Sequence, residues 1–199
     1  MSRIMLIFGA ALLALVAGAL FYAARIPVEV DAPAAPEPRQ LEAVTHPSFT
    51  LPDLAGANRD FSEWDGSHRL INFWATWCAP CRREIPLLKA FQEEHGEDGF
   101  QVLGVAVDYV EEVTRYAESA EFNYPVLIGQ QDAMAVAESS GIEFIGMPFT
   151  MFVARDGEYV GAYIGELHQS HLDDVVSILE QLDSGAISKD EARGAFELL

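Results

Sequence analysis

The sequence predicts an α/β domain, a mixed central sheet flanked by helices, with an opening hairpin and one N-terminal transmembrane helix. Three observations carry this. Patterned segments follow in the order strand, helix, strand, helix, strand, then a hairpin and another helix. The 199 residues suffice for one domain of ordinary size, with a few dozen left over. The surplus is an unbroken apolar or small run, Ile4 to Ala24, and a proline-rich stretch after it.

At ~1.5 Å per residue, the run from Ile4 to Ala24 is long enough to cross a hydrocarbon layer of ~30 Å. Arg3 precedes it, which favours a cytoplasmic N-terminus. The competing reading is a cleaved signal peptide with Ala17-Gly18-Ala19 at its cleavage site. Leu20, Phe21 and Tyr22 prolong the run, so residues 1–25 are taken as an anchor. Either way the rest of the chain is exported, and a bacterial lipid anchor is excluded because no cysteine stands directly after the run. Residues 26–46 hold four prolines between Pro27 and Pro38 among charges and alanines, a composition suited to an extended tether.

The domain itself spans 47–185. Phe49-Thr50-Leu51 and Arg59-Asp60-Phe61 flank a turn at Gly56-Ala57-Asn58, the opening hairpin. Leu70 to Trp74 reads as a buried strand, followed by a helix from Ala79 to His95. Phe100 to Val107 is the next strand, with a helix from Glu111 to Ala120 behind it. Tyr124 to Ile128 is a third strand and Ala133 to Ser139 a short helix. Phe149 to Ala154 and Tyr159 to Ile164 form a hairpin through Asp156-Gly157. Ser170 and Asp173 resemble a capping pair at the start of the last large helix, and Gly185 suits its end. Ser188 and Glu191 repeat the capping pattern before a helical tail, 186–199.

With 31 acidic residues against 12 basic ones, the net charge is -19. Such a chain has no basic stripe to neutralise phosphates, which excludes nucleic acid as partner. There are only two cysteines, Cys78 and Cys81, too few for a disulfide scaffold or a four-cysteine zinc site. His168 and His171 lack a third ligand, so no metal is assigned.

The segment L-I-N-F-W-A-T-W-C-A-P-C-R-R-E-I-P holds the chemistry. A buried strand ends near Trp74, and Cys78 stands just before a helix. Free backbone N–H groups and the positive end of the helix dipole stabilise a thiolate there, and thiolate is the attacking species. Cys81, one turn on, is placed to attack a mixed disulfide at Cys78 and release the product. Pro80 fits a first helical turn, where no internal donor is needed.

These residues resemble the thioredoxin superfamily and, within it, the membrane-anchored TlpA/ResA-like thiol-disulfide oxidoreductases, over roughly residues 45 to 184. The resemblance implies a thioredoxin fold. Pro86 falls where the family's active-site helix is kinked. Gly146-Met147-Pro148 matches the loop whose proline is cis and faces the cysteine pair; an ordinary strand-starting proline is the alternative. Gly165 matches a glycine of the substrate groove, to which Trp77, Pro80, Met147 and Pro148 also belong. Thioredoxins usually carry an Asp as proton relay where this chain has Asn72. Glu84 stands where the ResA-like branch has an active-site glutamate, three residues past Cys81 and on the same side of the helix; a plain surface glutamate is the alternative.

Trp74 is expected in the core, Trp77 on the active-site surface and Trp64 capping the hairpin. Arg82 and Arg83 are expected to face solvent. Phe144 is open between exposure to a partner and burial. The resemblance implies a catalytic domain in the periplasm, no cofactor, and reduction of exported protein disulfides, in apocytochrome c or copper-site proteins. A membrane-embedded thiol carrier would supply the electrons. A thiol peroxidase and a copper-binding assembly module are the competing readings. The first lacks the expected proline before Cys78, the second the wider cysteine spacing and downstream histidine.

Overall fold

The computed structural model describes residues 15–16, 46–142 and 144–199. The chain divides into two units, Met1–Arg39 and Gln40–Leu199. Of the first, Leu15 and Val16 are described, both helical and exposed. Apart from those two residues, the predicted anchor lies outside the described residues, as does the tether but for His46. Among the described residues no helix is long and apolar enough to cross a membrane.

The second unit opens with a hairpin of β1 (Thr50–Pro52) and β2 (Asn58–Asp60), a small antiparallel sheet of its own. Its turn is built by Asp53, whose Oδ1 accepts from the N–H groups of Ala55 and Ala57. A 3₁₀ turn, Phe61–Trp64, follows under a capping box from Asp60 and Glu63. Trp64 is buried there with the Arg59 guanidinium over its ring, the capping role expected.

The main sheet has five strands: β3 (His68–Trp74), β4 (Phe100–Val107), β5 (Val126–Gly129), β6 (Phe149–Val153) and β7 (Tyr159–Ile164). Their spatial order is β5-β4-β3-β6-β7. β3, β4 and β5 run parallel, while β6 lies antiparallel to both β3 and β7. The sheet is therefore mixed, as predicted. β5 starts at Val126 rather than Tyr124, because Tyr124 precedes the ladder and Pro125 has no N–H to add to it.

β3 is buried along its whole length, so its side chains feed two cores. Leu70 and Trp74 join one cluster with Ile85, Leu88 and Phe91 of α1 (Ala79–His95), Val113 of α2 (Val110–Ala120) and Leu172, Val175 and Leu179 of α4 (Gln169–Asp183). Ile71 and Phe73 join the other with Ala133 and Val136 of α3 (Gln131–Glu138) and with Leu51, Phe61 and Trp64. Both faces of the sheet are thus covered, as alternation along a central strand requires.

One local expectation needs correction, and two others are sharpened. The cap of α4 is His168, not Ser170: the helix begins at Gln169, and the His168 N–H donates to His171 Nδ1 at 3.2 Å. Phe144, open between exposure and burial in the sequence, is half-buried, with its ring 6.5 Å from Phe73 and 6.3 Å from Phe149, while Ile145 beside it is exposed. The last helix, α5 (Lys189–Phe196), is capped by Ser188 and Glu191 as read, and it packs onto the domain. Ala192 and Phe196 are buried, and Phe196 stacks on Phe152 at 4.8 Å.

Candidate active site

Cys78 and Cys81 form a disulfide at the start of α1. Cys78 is the N-cap: its Sγ accepts from the Cys81 N–H at 3.3 Å, and its own N–H donates to Ala75 O at 3.1 Å. A hydrogen bond and a helix dipole aimed at one sulfur favour its anion once the disulfide is reduced. Exposure separates the two cysteines. Cys78 keeps 5% of its surface and Cys81 none, so an incoming disulfide meets Cys78.

The loop entering the helix is pinned by the residue just after β4. Asp108 Oδ2 accepts from Thr76 N–H at 2.9 Å and from Thr76 Oγ1 at 2.6 Å. Nothing local in the sequence indicates that bond, since 32 residues separate the partners. With Thr76 held, Trp77 stands out at 68% exposure, beside Tyr109 at 64%. The two share a cavity of about 230 Å³ with Asp108, Gln130 and Met134. Pro80 is half-buried at the second helical position. Arg82 and Arg83 are exposed, as expected.

On the other side, the Met147–Pro148 bond is cis, as the resemblance implied. Met147 packs against the cluster that contains both cysteines. Pro148 O accepts from the Gly165 N–H at 2.9 Å, and Gly165 sits at φ 129°, a backbone region open to glycine. Trp77, Pro80, Met147, Pro148 and Gly165 are therefore placed by the redox helix and by the β6–β7 end of the sheet that joins it.

Glu84 is buried, not a surface residue, with 1% exposure. Its Oε1 accepts from Asn72 Nδ2 and its Oε2 from the Leu167 N–H, each at 2.8 Å. Burial pushes its carboxyl up to about 7, against the pull of the Leu167 and Asn72 donors; the charge of Glu166 adds to the rise. Glu166 itself is held by an ion pair with Arg83. A carboxyl that titrates near neutrality, one helical turn from a buried thiol, can accept and return a proton. Asn72 and Leu167 are the partners that sequence reasoning missed as such. Asn72 was marked only as a departure from Asp, and a backbone donor 83 residues away leaves no local signal.

A model of the AhpC/TSA family matches residues 44–161. A ResA thiol-disulfide oxidoreductase of Geobacillus kaustophilus is 32% identical over 115 residues, 57% of this chain and 64% of that one. The ResA protein of Halalkalibacterium halodurans is 26% identical over 134 residues, 67% of this chain and 74% of that one. The chain thus spans 64% of the length of the first of these relatives. Among solved structures, a thiol:disulfide interchange protein of the thioredoxin family from Chlorobium tepidum superposes with a TM-score of 0.62. It is 26% identical, and the match covers 69% of this chain and 97% of that one. The thioredoxin-like fold and the likeness to ResA-type proteins read from the motif are both met.

Proposed function

The chain belongs to the AhpC/TSA family, and on that premise we propose that it is a thiol-disulfide oxidoreductase which reduces disulfides in exported proteins. The observation that carries the reading is the Cys78–Cys81 disulfide at a helix start, with Cys78 alone reaching the surface. In the reduced protein the Cys78 thiolate attacks one sulfur of a substrate disulfide. That S–S bond breaks, a mixed disulfide forms, and the other substrate sulfur leaves as thiolate. Cys81 then loses its proton to Glu84 and attacks Cys78 Sγ. The second substrate sulfur departs, takes up a proton, and the Cys78–Cys81 disulfide returns. Two electrons have passed to the substrate, and a thiol donor must restore them.

The exposed ring of Trp77, the Met147-Pro148 loop and Gly165 form the groove in which a substrate chain lies across Cys78. The apolar run from Ile4 to Ala24 supports a single-pass inner-membrane anchor with this domain in the periplasm. A membrane-embedded thiol carrier is then the electron donor, and apocytochrome c or copper-site proteins are the substrates. The Ala-Pro spacer has no histidine cation to over-stabilise the reduced thiolate, which supports a reductase. Its potential is expected nearer about -270 mV than about -120 mV, the thioredoxin and strong-oxidant ends of the range. Peroxide reduction at Cys78 is less well supported, since Thr76 Oγ1 is already committed to Asp108.

The test is a Cys81→Ser protein, which keeps the attacking thiol and lacks the resolving one. It should accumulate mixed disulfides on Cys78 with exported proteins. Faster alkylation of Cys81 than of Cys78 in the reduced native protein at neutral pH would overturn the assignment.

A further inference from the structure

The amide of Asn72 is fully engaged at one end and empty at the other. Nδ2 donates to Glu84 Oε1 at 2.8 Å and to Thr150 Oγ1 at 3.0 Å. Oδ1 is buried and has no partner. Asn72, Thr150 and Glu84 are sealed from solvent, with at most 1% exposure each. An unpaired carbonyl oxygen in such a place costs free energy, and the same side chain touches the one carboxyl that the proposed reaction must protonate and deprotonate.

A carboxylate and a carboxylic acid need opposite partners. The anion only accepts hydrogen bonds, whereas the acid has one O–H to donate. Oε2 is served in both forms, because the Leu167 N–H donates to either. At Oε1 the neighbour must change from donor to acceptor when the proton arrives. A primary amide can do this by half a turn about its Cβ–Cγ bond, which exchanges Nδ2 and Oδ1 with almost no change of shape. The Thr150 hydroxyl can accept or donate, so the second contact survives the turn.

We infer that Asn72 is a positioning residue whose amide turns over in step with the proton on Glu84. It donates from Nδ2 to the carboxylate and accepts at Oδ1 from the acid, while Thr150 Oγ reverses its own bond. Each state has two hydrogen bonds at the engaged end of the amide and one bare atom at the other. Protonation therefore breaks no net bond in the network. The other groups facing Glu84 do not compete for this role. Glu166, from the loop before α4, is tied to Arg83; Tyr124 is a buried neutral phenol; Cys81 lies a turn back on the same helix. A turnable amide lets Glu84 take and return the Cys81 proton without repacking the core. That purpose rests on the proposed reaction; the geometry does not.

The full chain, in detergent, has only three asparagines, Asn58, Asn72 and Asn123, so selective ¹⁵N labelling resolves the Asn72 amide. Its two proton shifts should move with pH at the same midpoint as the ¹³Cδ of Glu84. Glu84→Gln, whose amide donates at every pH, should hold the Asn72 signals at their low-pH positions throughout. Asn72→Leu takes one hydrogen bond from each form of Glu84, so it should raise the midpoint by less than about one unit, the difference between a bond to a charge and a bond to a neutral acid. An Asn72 amide that stays flat while Glu84 titrates overturns the inference, and so does a rise of about two units in the Glu84 midpoint of Asn72→Leu, which is what loss of a fixed donor to the anion would leave. Disulfide exchange by the unaltered protein, measured in the same samples, reports separately on the proposed reaction.

Discussion

The two ends of β3 both carry buried polar side chains, and they treat them in opposite ways. At the start of the strand both nitrogens of His68 are used. Nε2 meets Asp183 Oδ2 at 3.0 Å, and Nδ1 accepts from the Arg155 N–H at 3.1 Å. Next to it Arg69 pairs with Asp65 and lies over the ring of Phe61, with only Nε left bare. Toward the other end Glu84 meets Asn72, with no cation against it among the described residues. The first end is arranged to hold its protonation state, the second to change it.

This difference has opposite signs in stability. Burial lowers the His68 pKa, with Asp183 only partly offsetting it. As pH falls below 6.5 the unfolded chain takes up a proton that folded His68 refuses, so stability drops on the acid side. Glu84 is raised from 4.5 to about 7. Between those values the folded chain holds a proton that the unfolded chain has released, so stability falls as pH rises through that window. In full the Glu84 effect is ~3 kcal/mol.

The largest expected effect separates the ends completely. Cys78→Ser should abolish disulfide exchange in an insulin-reduction assay while leaving the urea midpoint near that of the reduced native protein. Glu84→Gln comes next. Product release should slow by roughly 10²-fold, as for loss of an acid-base group, with initial attack little changed. The same variant should gain stability at pH 8 and lose the fall between pH 4.5 and 7. Stopped-flow reduction of a model disulfide and urea titrations at several pH values would check both. An unchanged pH-rate profile would return the proton to solvent.

His68→Asn sharpens the contrast from the other side. It should cost about 1–3 kcal/mol at pH 7.5, the usual consequence of breaking a buried polar pair. The exchange rate should stay the same, and an altered rate would mean that the two ends are coupled. Arg83→Ala should do least. The Arg83 side chain is 60% exposed in its pair with Glu166, and pairs with an exposed partner contribute little. Calorimetry should find the melting temperature unmoved.

What could be read before the structure follows the range of the interactions. The strand, helix and cysteine cap around residues 70 to 95 are local patterns, and they stand where they were expected. The cis bond before Pro148 came from family likeness, because nothing in Gly146-Met147-Pro148 itself dictates it. The partners of Glu84 were hidden, since Asn72 and Leu167 reach it only after the sheet has formed. Asp108 escaped for the same reason. The cap of α4 was misplaced because Ser170 looks like a better cap than His168, while the backbone had already entered the helix at Gln169. In α5 a signal was present and underweighted: Ala192 and Phe196 are four residues apart, which puts both on one side of a helix.

That last helix has a counterpart in β7. A Cβ at Gly161 would stand 2.4 Å from the Cβ of Phe196, an approach that neither the helix nor the strand can relieve by turning a flexible side chain. Gly161→Ala and Phe196→Gly are therefore two routes to one lesion, loss of the seat on Phe152, and their costs should not add. Once Phe196 has become glycine, the Cβ that an alanine at 161 would strike is gone, and the second change should do little further harm. Before that change it should be among the most damaging single-methyl additions on the sheet. The two sites thus form an epistatic pair, in which the order of substitution decides which intermediates survive.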